Sequence, residues 1–377
     1  MAEQALINPR IVTWARQRAG LSEDALARKL NVKNVGKVVE WESGETRPTF
    51  KQAQNIANVT NIPFGYLFLP EPPQEELPIP DLRTVSNRRT DEASVDMKEI
   101  IRQVMLKQEW YRDYLIKLEA PYLPFIGKYC VKDSVFDVAQ DIRNTLNVPL
   151  PQKGSWEEYH RTLLKGAEAA RILVMRSGIV GNNTRRKLQV SEFRGFAISD
   201  DIAPVIFINS SDAPTARLFT LIHELAHLWI GSSGISDLEH SHAKEEKFCN
   251  AIAGEFLVPQ EAFYRIWNPQ VSLVANLTEI NAQLHVSKLA AAKRALDCRV
   301  IDAETYWDYY RAELNAFRNK KGGQGNFNVN AGAKNSKLFS SAVVAEALSG
   351  RMLLRDASKL LGIKPNNIKT YARKLAL

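Results

Sequence analysis

The chain has 377 residues, a hydrophobic fraction of 45% and a net charge of +8. That is enough for two or three domains with a sizeable core, and the basic balance favours an acidic partner such as DNA. Three widely spaced cysteines, Cys130, Cys249 and Cys298, exclude a disulfide framework and a four-cysteine zinc site.

No uninterrupted apolar run approaches the ~18 residues needed to span a membrane. The start, Met1-Ala-Glu-Gln-Ala, lacks a basic-then-apolar signal pattern. A reduced cytoplasmic setting with no membrane partner is therefore the expectation.

Residues 8–69 predict a compact helical module. Asn8-Pro9 opens a helix that Gly20 ends, and Ser22 caps a second, Glu23 to Leu30. A turn at Asn31-Val32-Lys33 leads to a third helix ending at Trp41-Glu42-Ser43-Gly44. Arg47-Pro48-Thr49 starts a fourth, Phe50 to Val59. Trp41 to Gly44, Arg47-Pro48 and the closing Tyr66-Leu-Phe68 resemble the Xre-type helix-turn-helix family. The resemblance implies that the third helix enters the major groove by its N-terminal end. Lys33, Asn34 and Lys37 are then the candidate DNA contacts: the lysines suit phosphates and the asparagine suits adenine. The pattern departs from this at Gly36, which weakens the helix start, and at Glu40 and Glu42, which repel phosphate. A module that recognises a protein instead remains open.

Residues 71–90 predict a linker stiffened by Pro72, Pro73, Pro78 and Pro80. Pro78 to Arg83 is also similar to the segment that follows the Xre module in fused proteins. Helices are then expected over Asp91–Leu118, Asp133–Leu146 and Trp156–Ser177, the last carrying a structural His160. Phe193–Ile198 and Val205–Ile208 predict two strands. A sheet edge beside the next helix offers a place for an extended substrate.

That next helix contains His223-Glu224-Leu-Ala-His227. Asp212 is expected as its N-cap, Pro214 suits its first turn, and Leu218, Leu221, Leu225 and Leu228 form a core-facing stripe. The four-residue spacing puts both imidazoles on one helix face, as one metal ion requires. Glu224 reaches a metal-activated water as general base without being a ligand. A histidine third ligand would stand at 233, which is Ser233. A later acid is needed, and Lys244–Phe256 predicts its helix. Eighteen residues separate Glu246 from His227, Glu245 competes with it, and Asn250 stands one turn on, where it could steady a ligating imidazole. His240 and His242 sit in a polar loop. Farther on, Tyr264, His285, Arg294 and Tyr306 are candidate oxyanion stabilisers.

Glu192-Phe-Arg-Gly-Phe196, Pro204 to Asn209, Phe219 to His227, Glu246 to Asn250 and Leu257-Val-Pro259 resemble ImmA/IrrE-type metallopeptidases, with weaker similarity through Val286-Ser287 and Arg294. The resemblance implies zinc held by His223, His227 and Glu246, with Glu224 as base. It also implies a helix-turn-helix repressor or antitoxin as substrate, cut to relieve repression, with operator DNA as a further partner. A homodimer fits that function. The competing function is a non-proteolytic DNA-binding regulator, or a toxin–antitoxin component, whose metal site is structural or sensory.

Residues 320–326 predict a glycine-rich flexible loop. From Ser340 the chain is helical and basic, and Leu353–Leu361, Gly362 and Pro365–Leu375 have a helix-turn-helix rhythm that serves either a nucleic-acid contact or a plain helical hairpin. The expected fold class is α+β and predominantly helical. It comprises an Xre-type domain (1–70), a linker (71–90), a zincin-like domain with a small sheet (91–316) and a basic helical C-terminal region (317–377).

Overall fold

The computed structural model describes residues 3–32, 34–73, 93–151, 155–236, 244–319 and 334–375. Most of the expected linker, the 320–326 loop, Lys33, His240 and His242 lie outside the described residues. The fold is α+β and mostly helical. The chain divides into two compact units, Met1–Pro80 with Glu92–Glu99, and Asp81–Asp91 with Ile100–Leu377.

In the first unit, α1 (Pro9–Arg18), α2 (Glu23–Leu30), α3 (Gly36–Ser43) and α4 (Phe50–Thr60) are closed by a 3-10 turn, Phe64–Phe68. Asn8, Ser22 and Thr49 cap α1, α2 and α4 with their side chains, which answers orphan N–H groups that a short helix can ill leave open. Ile11, Val12, Leu26, Val38, Trp41, Ile56 and Leu67 form the core. Glu42 does not face solvent, contrary to its expected role in repelling phosphate. It receives a bidentate pair from Arg16, at 2.6 and 2.8 Å. The guanidinium also donates to the Leu21 carbonyl and ties α1 to the α2 entry.

A long helix, α5 (Val95–Lys117), follows, with residues 95–99 counted in the first unit and 100–117 in the second. In the second unit follow α6 (Val135–Leu146) and α7 (Trp156–Ala169), then β1 (Leu173–Ser177), β2 (Gly195–Ile198) and β3 (Val205–Asn209). The long helix α8 (Pro214–Trp229) leads to β4 (Gly234–Ser236). The helices α9 (Lys244–Leu257), α10 (Gln260–Ile266), α11 (Leu273–Leu284), α12 (Lys288–Asp297) and α13 (Ala303–Asn319) complete this part. The sheet order is β1-β3-β2-β4. β1 pairs in parallel with β3, and β2 is antiparallel to both β3 and β4.

Two expectations are corrected here. Residues 173–177 form a strand and not the end of a helix. The chain leaves α7 at Ala169, Arg171 adopts a left-handed φ of 63°, and Leu173, Val174 and Met175 are buried in the sheet beside β3. Pairing with β3, distant in sequence, overrides local helix propensity there. Asp212 is not the N-cap of α8. Ala213 holds that position, and the Asp212 carboxylate pairs with Arg194 at 2.9 Å.

The α8 helix is buried on almost every side. Ile222, Ala226 and Trp229 are as inaccessible as the expected leucine stripe. Sheet, α6 and α9 all pack on it, so its polar residues are held in a low-dielectric interior. Trp229 stacks on Phe125 and donates its indole N–H to Asp141 at 2.8 Å, anchoring the helix end.

The C-terminal helices are α14 (Lys337–Leu348), α15 (Leu354–Leu361) and α16 (Ile368–Leu375), with a 3-10 turn at Pro365–Asn367. Contact between Phe339 and the rings of Trp110 and Tyr111 seats α14 on α5.

Candidate metal centre

His223 and His227 project from one face of α8, and Glu246 comes from the first turn of α9. The Nε2 atoms stand 3.1 Å apart. His223 Nε2 lies 3.0 Å from one Glu246 oxygen, and His227 Nε2 lies 3.2 Å from the other. All three side chains are buried. Donors about 2 Å from a tetrahedral ion stand about 3.3 Å from one another, so this triangle has the dimensions of a zinc site. Both Nδ1 atoms are buried without a hydrogen-bond partner. The donor set, two neutral imidazoles and a carboxylate, fits zinc with a position left for water.

Electrostatics keep His223 and Glu246 in metal-ready forms. Burial lowers the His223 pKa, opposed by its carboxylate partner Glu246, and the ring stays neutral. Burial pushes the Glu246 carboxyl up, but hydrogen bonds from His223 and His227 outweigh it and bring the pKa down to about 2. Asn250, one turn along α9, adds a smaller polar interaction with His223. Glu245 is not part of the triangle. Its side chain is exposed and accepts from the Ser232 hydroxyl at 3.2 Å.

Glu224 is fully buried beside the triangle, on the side of β2. Gly195 makes room for it. A Cβ at Gly195 would lie 2.8 Å from Glu224 Oε1, 2.7 Å from Thr220 Cγ2 and 2.9 Å from the Phe207 carbonyl. Gly195 stood in the E-F-R-G-F stretch without an assigned role. A lone glycine inside an apolar strand run is the signal of such a close approach.

Three of the four candidate oxyanion stabilisers have other partners, and His285 stands at a helix end with its Nε2 buried and without a hydrogen-bond partner. Arg294 is ion-paired with Glu255, nine residues and so about 13 Å along α9 from Glu246. Tyr264 donates to the Cys298 carbonyl at 3.1 Å. Tyr306 is buried among Trp307 and Tyr310, its pKa raised to about 12 by burial. His285 caps α11 in the left-handed conformation. His160 is buried on α7 and is not part of the triangle, with its pKa lowered to about 4 by burial and then by Arg176 and Arg217.

Comparison with known families decides the domain identities. Residues 167–296 match a peptidase family model described as an IrrE N-terminal-like domain. Residues 12–67 match a helix-turn-helix model. The chain joins a helix-turn-helix domain to an IrrE N-terminal-like peptidase domain. Residues 335–374 match a domain of unknown function. No curated protein matches the chain. The peptidase match spans the whole sheet, α8, the His223–His227–Glu246 triangle and most of α12. Among the described residues, no helix is long and apolar enough to cross a membrane.

In the helix-turn-helix domain, Asn34 and Lys37 lie at the start of α3. The Asn34 Oδ1 accepts from the Gly36 N–H at 3.0 Å. A Cβ at Gly36 would stand 3.1 Å from that oxygen, so the glycine leaves room for this contact. Lys37 is half exposed and 4.0 Å from Glu40. A groove lined by Asn31, Asn34, Lys37, Trp41, Gln52 and Asn55 opens beside α3.

Proposed function

We propose that this protein is a zinc-dependent endopeptidase that regulates transcription. His223, His227 and Glu246 are the ligands, Glu224 is the general base and Asn250 steadies His223. When bound, zinc supplies Lewis acidity and makes a water acidic enough to attack a peptide carbonyl. Glu224 accepts the water's proton and holds it at its carboxylate for the departing amine. Its buried position beside the ligands, without being one of them, suits that role. Support comes above all from the convergence of three buried donors on one point inside a peptidase-family domain.

The proposed substrate is a helix-turn-helix repressor or antitoxin, cut to relieve repression in a cytoplasmic setting. The edge formed by β4, next to β2, offers an extended peptide a strand to pair with. The N-terminal domain either recruits that repressor or holds the enzyme at operator DNA through Asn34 and Lys37.

The test combines zinc content with a gel of the repressor encoded beside this gene. Glu224→Gln should keep zinc and lose about 10²–10⁴ in cleavage rate. Equal cleavage by wild type and variant rejects Glu224 as base. No cleavage of any neighbouring repressor or antitoxin by the zinc-loaded wild type favours a non-proteolytic regulator.

A further inference from the structure

The C-terminal bundle carries a surface that the peptidase reading leaves unused. The α14 helix is its buried support, with Phe339, Ala342, Val343, Val344 and Ala347 covered, and both α15 and α16 pack on it. Between them the turn is tightly specified. Gly362 ends α15 at φ 68°, and the Gly362 and Ile363 N–H groups both reach back to the Ser358 carbonyl. The Ser358 hydroxyl returns a bond to the Ile363 carbonyl. Asn335 donates to the Leu361 carbonyl at 2.9 Å, and Tyr371 donates to Ser340 at 3.1 Å, pinning α15 and α16 to the support. This is a three-helix unit whose last two helices are joined by a short glycine turn.

The outward face of α16 is strongly cationic. Ile368 and Ala372 point inward and are buried. At 100° per residue, Thr370, Arg373 and Lys374 fall on the opposite side and Lys369 on its flank; all four are exposed, as is Asn366 in the preceding 3-10 turn. The α16 helix contains no acid. Lys359, on α15, and Lys364, in the turn, flank it and are exposed too. Arg351 is paired with Glu346, and Arg355 lies near Asp356. Among the described residues, Lys359, Lys364, Lys369, Arg373 and Lys374 have no acidic partner. By contrast, α3 of the N-terminal domain carries one lysine, 4.0 Å from Glu40.

We propose that α14–α16 form a second helix-turn-helix unit that binds duplex DNA, with α16 facing the major groove. Lys359, Lys364 and Lys369 meet phosphates, and Asn366 and Arg373 lie where base edges are read. Charge decides for duplex DNA: five unpaired cations on one turn and its flanking helices match a phosphate backbone, while the face lacks the exposed aromatic rings on which single-stranded bases stack. This unit, not α3, then supplies the larger share of the phosphate contacts.

The experiment uses the full chain and a fluorescein-labelled duplex of mixed sequence, about 30 base pairs long, titrated at salt from about 50 to 200 mM. Wild type should bind at low salt. Lys369→Gln with Arg373→Gln should weaken binding about tenfold and reduce the salt slope by about 0.9, one phosphate's worth. Lys37→Ala should change it less. Lys359→Gln with Lys364→Gln, both outside α16, repeats the test should the first pair unfold α16, as circular dichroism reports. The proposal is overturned if folded variants bind within twofold of wild type. It is equally overturned if wild type does not bind the duplex, or binds a single-stranded RNA of that length more tightly. Peptidase activity enters none of these readouts.

Discussion

Gly195 on β2 lies against the carboxylate of Glu224, with no room for a methyl group between them. The strand therefore acts as the back wall of the acid's pocket. Gly195→Ala should press on Glu224, on Thr220 and on the Phe207 carbonyl together. Overpacking of this kind costs about 1–3 kcal/mol, and the mobile end of that contact is Glu224 itself. The variant should retain zinc, melt at a lower temperature and lose at least about tenfold in cleavage, since misplacing a catalytic group is expensive. Unchanged cleavage at unchanged zinc content would show that the acid's position does not depend on this wall.

Metal retention separates the two adjacent acids of α9. Glu246→Ala should abolish zinc binding at micromolar protein, because two imidazoles alone make a poor site. Glu245→Ala removes a contact to Ser232 at the surface and should leave about one zinc per chain. Elemental analysis of both variants after dialysis decides it, and the reverse outcome would put the ligand at Glu245.

The centre was legible for a local reason. His223, Glu224 and His227 sit within five residues, so helix geometry alone brings the imidazoles together. Glu246 required a register on a second helix. Only the choice between it and Glu245 was open, and the first turn of α9 buries one and exposes the other. What could not be read was non-local. Nothing between Ala169 and Leu173 punctuates the chain with proline or glycine, and Arg171 takes the left-handed turn instead. The strand β1 exists because β3 is there to pair with it. Glu42 likewise looked like a surface acid in sequence, and only the packing of α1 on α3 reveals Arg16 as its partner.

The Arg16–Glu42 pair has few alternatives to its bidentate geometry. Both side chains are about nine-tenths covered, at 12% and 9% exposure. Removing one partner strands the other, which costs about 3–5 kcal/mol in buried pairs. Arg16→Met should therefore destabilise the helix-turn-helix domain by about 3 kcal/mol. Glu42→Gln, which still accepts a hydrogen bond, should cost less. Domain-resolved hydrogen exchange of α1–α4 would measure both, and equal protection in wild type and Arg16→Met would refute the claim.

His160 predicts an acid-sensitive stability. Its pKa falls from 6.5 to about 4 through burial, reinforced by Arg176 and Arg217. Between those values the unfolded chain binds a proton that the folded one refuses. Stability from this group is thus fully present above pH 6.5 and is lost as pH falls toward 4. The full window is worth at most about 3 kcal/mol, of which about 2 is lost by pH 5. His160→Gln cannot take up that proton. Its own stability, whatever its value at pH 7.5, should decline by about 2 kcal/mol less than wild type on going to pH 5. Urea unfolding at the two pH values gives both differences. Parallel declines would mean that His160 titrates alike in the folded and unfolded chain, and that acid sensitivity arises elsewhere.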